Sequence, residues 1–336
     1  MKIIVHPFTL HLKETFRISR YERDSQRTLV IELNEGGISG FGEATENPYY
    51  GITLEKMIGD LEKVRPVVEH TNWETPEVLW HQLIKLLPDN LFLIAAIDIA
   101  SHDLLARKKG KTLIKHWELP QKPLPITSYT IGIDTVDKMI AKIQAKPWPA
   151  YKIKLGTPDD LSIIQSLRKH TDATFRVDAN CAWTLDQAIN LSKEFKSLGV
   201  EFIEQPLPAD KWEEMQVLYA ESALPVIADE SCLRISDVEK CAGAFHGINI
   251  KLMKCGGYTA ALKMIELARK LRLKIMVGCM TESTVGISAI GQLLPLLDYV
   301  DMDGAMLISN DIASGIQIED GKYIFPDWPG TGVVLM

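Results

Sequence analysis

Three carboxylates and three lysines recur at regular intervals through the second half of this 336-residue chain. Lys152-Ile153-Lys154 lies in a short apolar run that reads as a buried strand. Residues two apart on a strand face the same side, so both ammonium groups point one way. Crowded like charges disfavour each other's charged form, which predicts a lowered pKa for at least one lysine and hence a base. Asp178 follows Lys154 by 24 residues, Glu204 follows Asp178 by 26, Asp229 follows by 25 and Lys251 by 22. Taken singly, each carboxylate is better read as a helix N-cap or a solvated residue, and a lone Lys-x-Lys as a solvated edge strand. Three carboxylates at the ends of consecutive apolar runs would converge and repel. A hard cation resolves that repulsion, and Mg²⁺ suits a few carboxylates completed by waters and substrate oxygens. No His or Cys cluster accompanies them as zinc would require, and calcium would want more oxygens. With lysines on both flanks, the set fits removal of a proton from the carbon beside a carboxylate, the metal holding the enolate.

The elements that must position these groups follow from the pattern after Pro125. Short apolar segments predict strands at 126–131, 151–155, 174–178, 202–204, 226–229, 248–252, 274–277 and 299–301. Amphipathic stretches such as 186–198 and 260–271 lie between them. Eight strands alternating with helices predict a parallel sheet closed into a barrel, whose chemistry gathers at the carboxyl ends of its strands. The charge intervals match one β/α unit each. A doubly wound open sheet is disfavoured, because no Gly-x-Gly-x-x-Gly follows a strand; Gly40-Phe41-Gly42 sits in a predicted hairpin. The eighth strand ends in Asp301-Met302-Asp303. Thr130 and the Gly278-Cys279-Met280 segment end the first and seventh, and are weaker candidates for touching substrate. Thr130 reads equally as an ordinary strand hydroxyl.

Ahead of the barrel, residues 1–48 read as β-rich, with a strand at 28–33, a tight turn at 34–37 and a return strand at 38–44. The charged segment 19–25 has no apolar period and is predicted as a loop. Helical spacing returns at Leu54, Ile58, Leu61 and Val64, and residues 91–106 predict a long apolar helix. The chain thus divides into an α+β unit at 1–118, a barrel at 119–310 and a turn-rich tail at 311–336 that leaves the barrel to pack on the first unit.

Composition narrows the function classes. A net charge of −7 and a pI near 5.7 argue against binding nucleic acid or an anionic membrane. No apolar run approaches the about 20 residues of a membrane span, and His6-Pro7 ends the first apolar run too early for a signal peptide. Five cysteines without zinc-type spacing predict reduced thiols and a cytoplasmic location. Cys181, Cys232, Cys255 and Cys279 read as small apolar fill, and the eight histidines are scattered.

The motifs Lys152-Ile153-Lys154, Asp178-Ala179-Asn180, Glu204-Gln205-Pro206, Ala228-Asp229-Glu230-Ser231 and the run from Asn249 to Gly257 resemble the enolase superfamily, in its muconate-lactonizing subgroup. The resemblance spans nearly the whole chain. It implies an α+β capping domain over a modified (β/α)₇β barrel of the TIM type. It implies that Asp178, Glu204 and Asp229 bind Mg²⁺, that Lys154 and Lys251 are bases on opposite faces of the substrate carbon, and that Lys152 stabilises the enolate or tunes its neighbour. Lys254 lies just past the sixth apolar run, whereas Lys251 fits the family motif. Within the subgroup the chain most resembles the dipeptide epimerases, whose Asp-x-Asp pair holds the free ammonium of the substrate; Asp301 and Asp303 match it. Paired carboxylates attract a cation in any case, although a solvated loop pair is the plainer alternative. The resemblance implies an L-Ala-D/L-Glu dipeptide as substrate, hence a role in murein peptide metabolism, and leaves a homo-oligomeric state open. In segment 19–25, Arg20 and Arg23 suit a glutamate carboxylate; Glu22 and Asp24 could equally neutralise them or favour a cationic dipeptide.

Rival readings keep part of the pattern. An epimerase of hydrophobic or cationic dipeptides uses the same machinery. o-Succinylbenzoate synthase and muconate cycloisomerase share the half-reaction but need no ammonium site. A metal-dependent hydrolase barrel would show His-x-His, and a nucleophilic hydrolase Gly-x-Ser-x-Gly; the sequence has neither. A non-catalytic binding barrel gives no reason for lysines flanking an acidic triad.

Overall fold

The computed structural model describes residues 1–18, 21–70 and 73–336. The N-terminal unit is an antiparallel sheet of β1 (Lys2–Arg17), β2 (Glu22–Glu35) and β3 (Ile38–Thr45), in that order. Helices α1 (Leu54–His70), α2 (Pro76–Leu86) and α3 (Leu91–Lys108) follow. α3 is buried along nearly its whole length, between the sheet and the barrel. Its close approach to β3 depends on the Gly-x-Gly of that strand. A Cβ on Gly40 would lie 2.3 Å from Ala100 O, and one on Gly42 would lie 2.1 Å from Ala96 O. The two glycines therefore serve packing, not phosphate binding.

β1 and β2 form a ribbon longer than the predicted hairpin. Part of the segment expected as a loop is strand: pairing resumes at Arg17↔Glu22 and Phe16↔Arg23, after a register shift between His11 and Phe16. The alternation that would have revealed it is missing because this end of the ribbon leaves the sheet and buries neither face fully. Ser19 and Arg20 lie outside the described residues.

The second unit is an eight-stranded parallel sheet in sequential order: β4 (Tyr129–Ile131), β5 (Ala150–Lys154), β6 (Thr174–Asp178), β7 (Val200–Glu204), β8 (Val226–Ala228), β9 (Gly247–Ile250), β10 (Lys274–Gly278) and β11 (Tyr299–Asp301). A parallel bridge from Thr127 to Val300 joins the first strand to the last and closes the barrel. The α-helices Val136–Ala145, Asp160–Arg168, Leu185–Ser197, Trp212–Glu221, Ile235–Cys241, Tyr258–Lys270 and Thr284–Gly291 follow the first seven strands in turn. The eighth leads instead into a short turn, Gly304–Met306, and the tail, so the barrel is of the (β/α)₇β kind.

β5 explains how lysines enter a buried strand. All five of its residues are buried, as in parallel sheets covered on both faces. Tyr151 points outward, its hydroxyl donating to Lys146 O at 2.8 Å, while Lys152 and Lys154 alternate inward. Lower in the barrel, Arg176 Nη1 donates to Ile126 O (3.1 Å), Ser128 Oγ (3.0 Å) and Val300 O (3.2 Å). One cation thereby ties the first, third and eighth strand regions together.

The predicted sixth strand at 248–252 ends sooner, at Ile250. Residues Leu252–Cys255 are a helical turn, closed by Gly256 in the left-handed region (φ 94°). The tail returns to the first unit: Leu113 N donates to Gly330 O (3.0 Å), Thr331 N to Asp103 Oδ1 (2.6 Å) and Arg107 Nη2 to Val333 O (2.6 Å). Among the described residues, no helix is long and apolar enough to cross a membrane.

Candidate active site

Strand register builds the floor of the site. Lys154 pairs with Asp178, and Asp178 with Glu204, so three charged side chains occupy one row across β5, β6 and β7. Asp229 follows the end of β8, and Lys251 follows the end of β9. Asp178, Glu204 and Asp229 each offer a carboxylate oxygen, all within 4.8 Å of one another, and all three residues are buried. β5 and β9 are the second and sixth of eight strands, so their lysines face each other across the barrel. The carboxylates lie on the strands between. Asp301 ends the eighth strand, opposite Glu204 on the fourth.

Lysines balance this negative charge. Lys154 Nζ donates to Asp178 Oδ2 at 2.6 Å. Lys152 Nζ lies 2.8 Å from Glu204 Oε2, 2.9 Å from Asp301 Oδ2 and 3.2 Å from Asp178 Oδ2. Lys251 Nζ donates to Asp229 Oδ2 at 2.9 Å. Burial works to lower the Lys152 pKa, yet Asp301, Glu204 and Asp178 together hold it well above the ordinary lysine value. Burial likewise opposes Asp229 at Lys251, and the carboxylate prevails, raising that pKa too. At Lys152 the shift runs opposite to the lowering that crowding with another lysine would give, because attraction to several carboxylates exceeds the repulsion between lysines. Burial works to raise the Asp178 pKa, but Lys154 and Lys152 bring it down to about 2. Lys251 and Lys254 overcome burial in the same way at Asp229 and hold it well below the usual range. Burial and the charge of Asp178 push Glu204 up to about 7.

Backbone geometry explains the motifs that flank the triad. Asn180 (φ 46°), Cys181 (φ 70°) and Gln205 (φ 34°) adopt left-handed conformations that non-glycine residues rarely take. That turn lets Asn180 N donate to Asp178 Oδ1 (2.9 Å). It also lets Gln205 Oε1 accept from the N–H groups of Asp229 and Ser231, both at 3.0 Å. Asn249 Nδ2 donates to Glu204 Oε1 at 2.8 Å. Glu204 Oε2 is buried and, although paired in charge with the Lys152 ammonium 2.8 Å away, receives no hydrogen bond. Three clustered carboxylates with an oxygen left over and no thiol or imidazole fit a hard divalent cation such as Mg²⁺.

A cleft of about 790 Å³, open to solvent, lies above this floor. Lys152, Lys154, Asp229, Lys251, Thr130, Met280, Asp301, Asp303 and Arg23 all line it, so sequence candidates from many separate segments meet there. Asp178 and Glu204 lie beneath it. Asp301 gives one oxygen to Lys152, and its Oδ1 is buried without a hydrogen bond. Asp303 accepts from Thr130 N (2.6 Å) and Thr130 Oγ1 (3.2 Å), so Thr130 orients a carboxylate as well as lining the cleft. Burial and the charge of Asp301 push Asp303 up to about 7. Arg23 rests over the Tyr21 ring at 4.2 Å. Its charged neighbours are engaged elsewhere: Glu22 with Arg17 (2.5 Å) and Asp24 with Thr15 (2.5 Å). Arg20, the other arginine candidate, falls outside the described residues.

The cleft also contains residues the sequence did not single out. Phe16, Ile18, Tyr21, Asn47, Tyr49 and Tyr50 form a wall from the first unit. They belong to a ribbon end and a short turn, Pro48–Tyr50, which carry no motif of their own. Asn249 carried a signal, its place two residues before Lys251 in a run of alternating in-facing positions.

Known proteins share this architecture. Residues 2–116 match the family described as "Mandelate racemase / muconate lactonizing enzyme, N-terminal domain". Residues 134–336 match "Enolase C-terminal domain-like". A Flavobacterium johnsoniae protein named L-Ala-D/L-amino acid epimerase is 55% identical over 336 residues, covering 100% of both chains. A Bacteroides thetaiotaomicron protein named L-Ala-D/L-Glu epimerase is 39% identical, over 99% of this chain and 88% of that protein. The solved structure of a Methylococcus capsulatus dipeptide epimerase with Mg and L-Arg-D-Lys is 32% identical, with a TM-score of 0.92 over 99% of this chain and 100% of that one. The chain belongs to the enolase superfamily, in the muconate-lactonizing subgroup that its motifs indicated.

Proposed function

We propose that the chain is a Mg²⁺-dependent dipeptide epimerase that inverts the α-carbon of the C-terminal residue by moving a proton between two lysines. The observation that carries this reading is the placement of Lys154 and Lys251 four strands apart, with Asp178, Glu204 and Asp229 on the strands between. The full-length similarity to proteins named as epimerases of L-Ala dipeptides supports it.

Asp178, Glu204 and Asp229 would hold the cation, which when bound offsets their charge and the charge developing on the substrate carboxylate. Asp301 and Asp303 face the cleft opposite the triad and receive the substrate ammonium, fixing the peptide so that its α-carbon lies between the lysines. Whichever lysine starts as the neutral amine takes the α-proton at Nζ, and the ammonium opposite returns one to the other face. Lys152, charged and held among three carboxylates, stabilises negative charge and takes no proton. The same reading divides the chain into a capping domain at 1–118, joined by the tail 311–336, and a catalytic barrel at 119–310.

L-Ala-L-Glu and its epimer stand first among the substrates, with Arg23 as partner for the glutamate carboxylate. The aromatic and apolar wall around Arg23 supports a wider range of second residues, in keeping with the name of the Flavobacterium relative. Such substrates imply recycling or degradation of murein peptides in the cytoplasm. The test is a screen of L-Ala-L-Glu, L-Ala-L-Lys and L-Ala-L-Phe with Mg²⁺ in D₂O, following loss of the α-proton signal by NMR. The expected result is exchange and epimerisation of L-Ala-L-Glu that EDTA abolishes. No α-proton exchange on any of the three contradicts the proposal, and equal rates on all three remove Arg23 from substrate choice.

A further inference from the structure

Two lysines meet Asp229, and only one of them faces the cleft. Lys251 lines the cleft and donates to Asp229 Oδ2 at 2.9 Å. Lys254 is 3% exposed and reaches Asp229 from behind. Its Nζ donates to Asp229 O at 2.8 Å and pairs with Asp229 Oδ1. A single ammonium therefore holds both the main-chain carbonyl and the carboxylate of one residue, which fixes the rotation of that side chain. Lys254 is itself fixed, because it sits in the turn Leu252–Cys255, braced by the first unit. Trp80 Nε1, from α2, donates to Gly256 O at 2.8 Å. Gly257 (φ 101°) packs so closely on α3 that a Cβ there would lie 2.5 Å from Asp98 Oδ2.

We propose that Lys254 is a positioning residue: it acts through Asp229, holding that carboxylate in the orientation that receives the divalent cation. The inference rests on the reading of Asp178, Glu204 and Asp229 as the cation site. Residues that orient a ligand from behind typically change metal affinity about 10- to 100-fold when removed. The competing explanation is that Lys254 only neutralises buried negative charge. The two differ in sign. A nearby positive charge repels Mg²⁺, so removing a mere neutraliser tightens Mg²⁺ binding, whereas removing a positioning residue weakens it.

The experiment is calorimetric titration of EDTA-treated, full-length protein with MgCl₂, for the wild type, Lys254→Met and Lys254→Gln, each checked for native circular dichroism. Lys254→Met is expected to raise the Mg²⁺ Kd at least about 10-fold. Lys254→Gln, which keeps an N–H donor for the Asp229 carbonyl, is expected to raise it less. If Lys254→Met does not fold, Lys254→Gln decides alone. An unchanged or tighter Kd in either folded variant overturns the inference while leaving the triad reading intact. Failure of the wild type to bind Mg²⁺ overturns the triad reading and the inference with it.

Discussion

The floor and the wall of the cleft are built on different principles. The floor carries Lys152, Lys154, Asp178, Glu204 and Asp229, all buried, at the carboxyl ends of neighbouring barrel strands, with Lys154, Asp178 and Glu204 in one paired row. Nearly every charge there touches an opposite charge within 3.2 Å. The wall carries Phe16, Tyr21, Arg23 and Tyr49, half-buried or exposed, on a ribbon with a register shift and on a short turn. Barrel strand ends can hold catalytic groups to a fraction of an ångström, as proton transfer requires. The ribbon can change shape and side chain without disturbing the barrel core. In the function proposed above, reaction type therefore belongs to the floor and substrate choice to the wall.

Substitutions that separate floor from wall break or sharpen this contrast. The largest effect is expected in the floor: Lys154→Ala and Lys251→Ala each lower the epimerisation rate by about 10³-fold, read by NMR on L-Ala-L-Glu, with little change in KM. Next comes the eighth strand, which faces both regions. Asp301→Asn removes the ion pair with Lys152 and the free carboxylate oxygen. It is expected to lower kcat/KM about 10- to 100-fold, the value of one charged hydrogen bond. The loss should shrink when the dipeptide amine is acetylated. A wall substitution should act on preference alone: Arg23→Ala lowers the rate on L-Ala-L-Glu relative to L-Ala-L-Phe by roughly 5-fold, as an exposed ion pair allows. An equal fall on both dipeptides would place Arg23 in the catalytic machinery and erase the contrast.

The smallest effect concerns the seam between the two units. Glu43, on β3, accepts from Ser283 N (3.1 Å), Ser283 Oγ (2.5 Å) and Gly286 N (2.9 Å), at the start of the helix Thr284–Gly291. Beside it, burial and the charge of Glu43 push Glu282 up to about 8, against the N–H of Met280. A carboxyl whose folded pKa is raised stabilises the fold fully below its ordinary value of 4.5. That contribution is lost as pH rises through about 8. The Tm should therefore fall between pH 5 and pH 8, and Glu282→Gln should reduce the fall by roughly 2 to 4 °C. An identical pH profile in the variant would remove Glu282 from the seam's pH dependence.

The floor was far more legible in the sequence than the wall, for a physical reason. A buried charge needs an apolar strand before it and a partner one β/α unit away, and both leave marks at fixed spacing. Asp178, Glu204, Asp229 and Lys251 could be found that way. The partners of those charges were less visible. Asn249 and Lys254 act within one short segment, and a three-residue offset does not reveal that Lys254 turns back beneath Asp229. The wall left almost no trace. Most of its residues bury only partly, so the ribbon at 22–25 shows no alternation and reads as a loop. The carboxylates that hold Lys152 charged were not visible, because the sequence places it beside Lys154 but does not show Glu204 and Asp301 converging on it from two other strands.

The most direct test follows each α-proton separately. Lys154→Ala and Lys251→Ala are incubated in D₂O with Mg²⁺ and with each epimer of the dipeptide, L-Ala-L-Glu and L-Ala-D-Glu, and exchange is read by NMR. Two lysines on opposite faces predict that neither variant epimerises, that each still exchanges the α-proton of one epimer, and that the two variants retain opposite epimers. Near wild-type epimerisation in Lys251→Ala, or retention of the same epimer by both variants, would contradict the two-base arrangement.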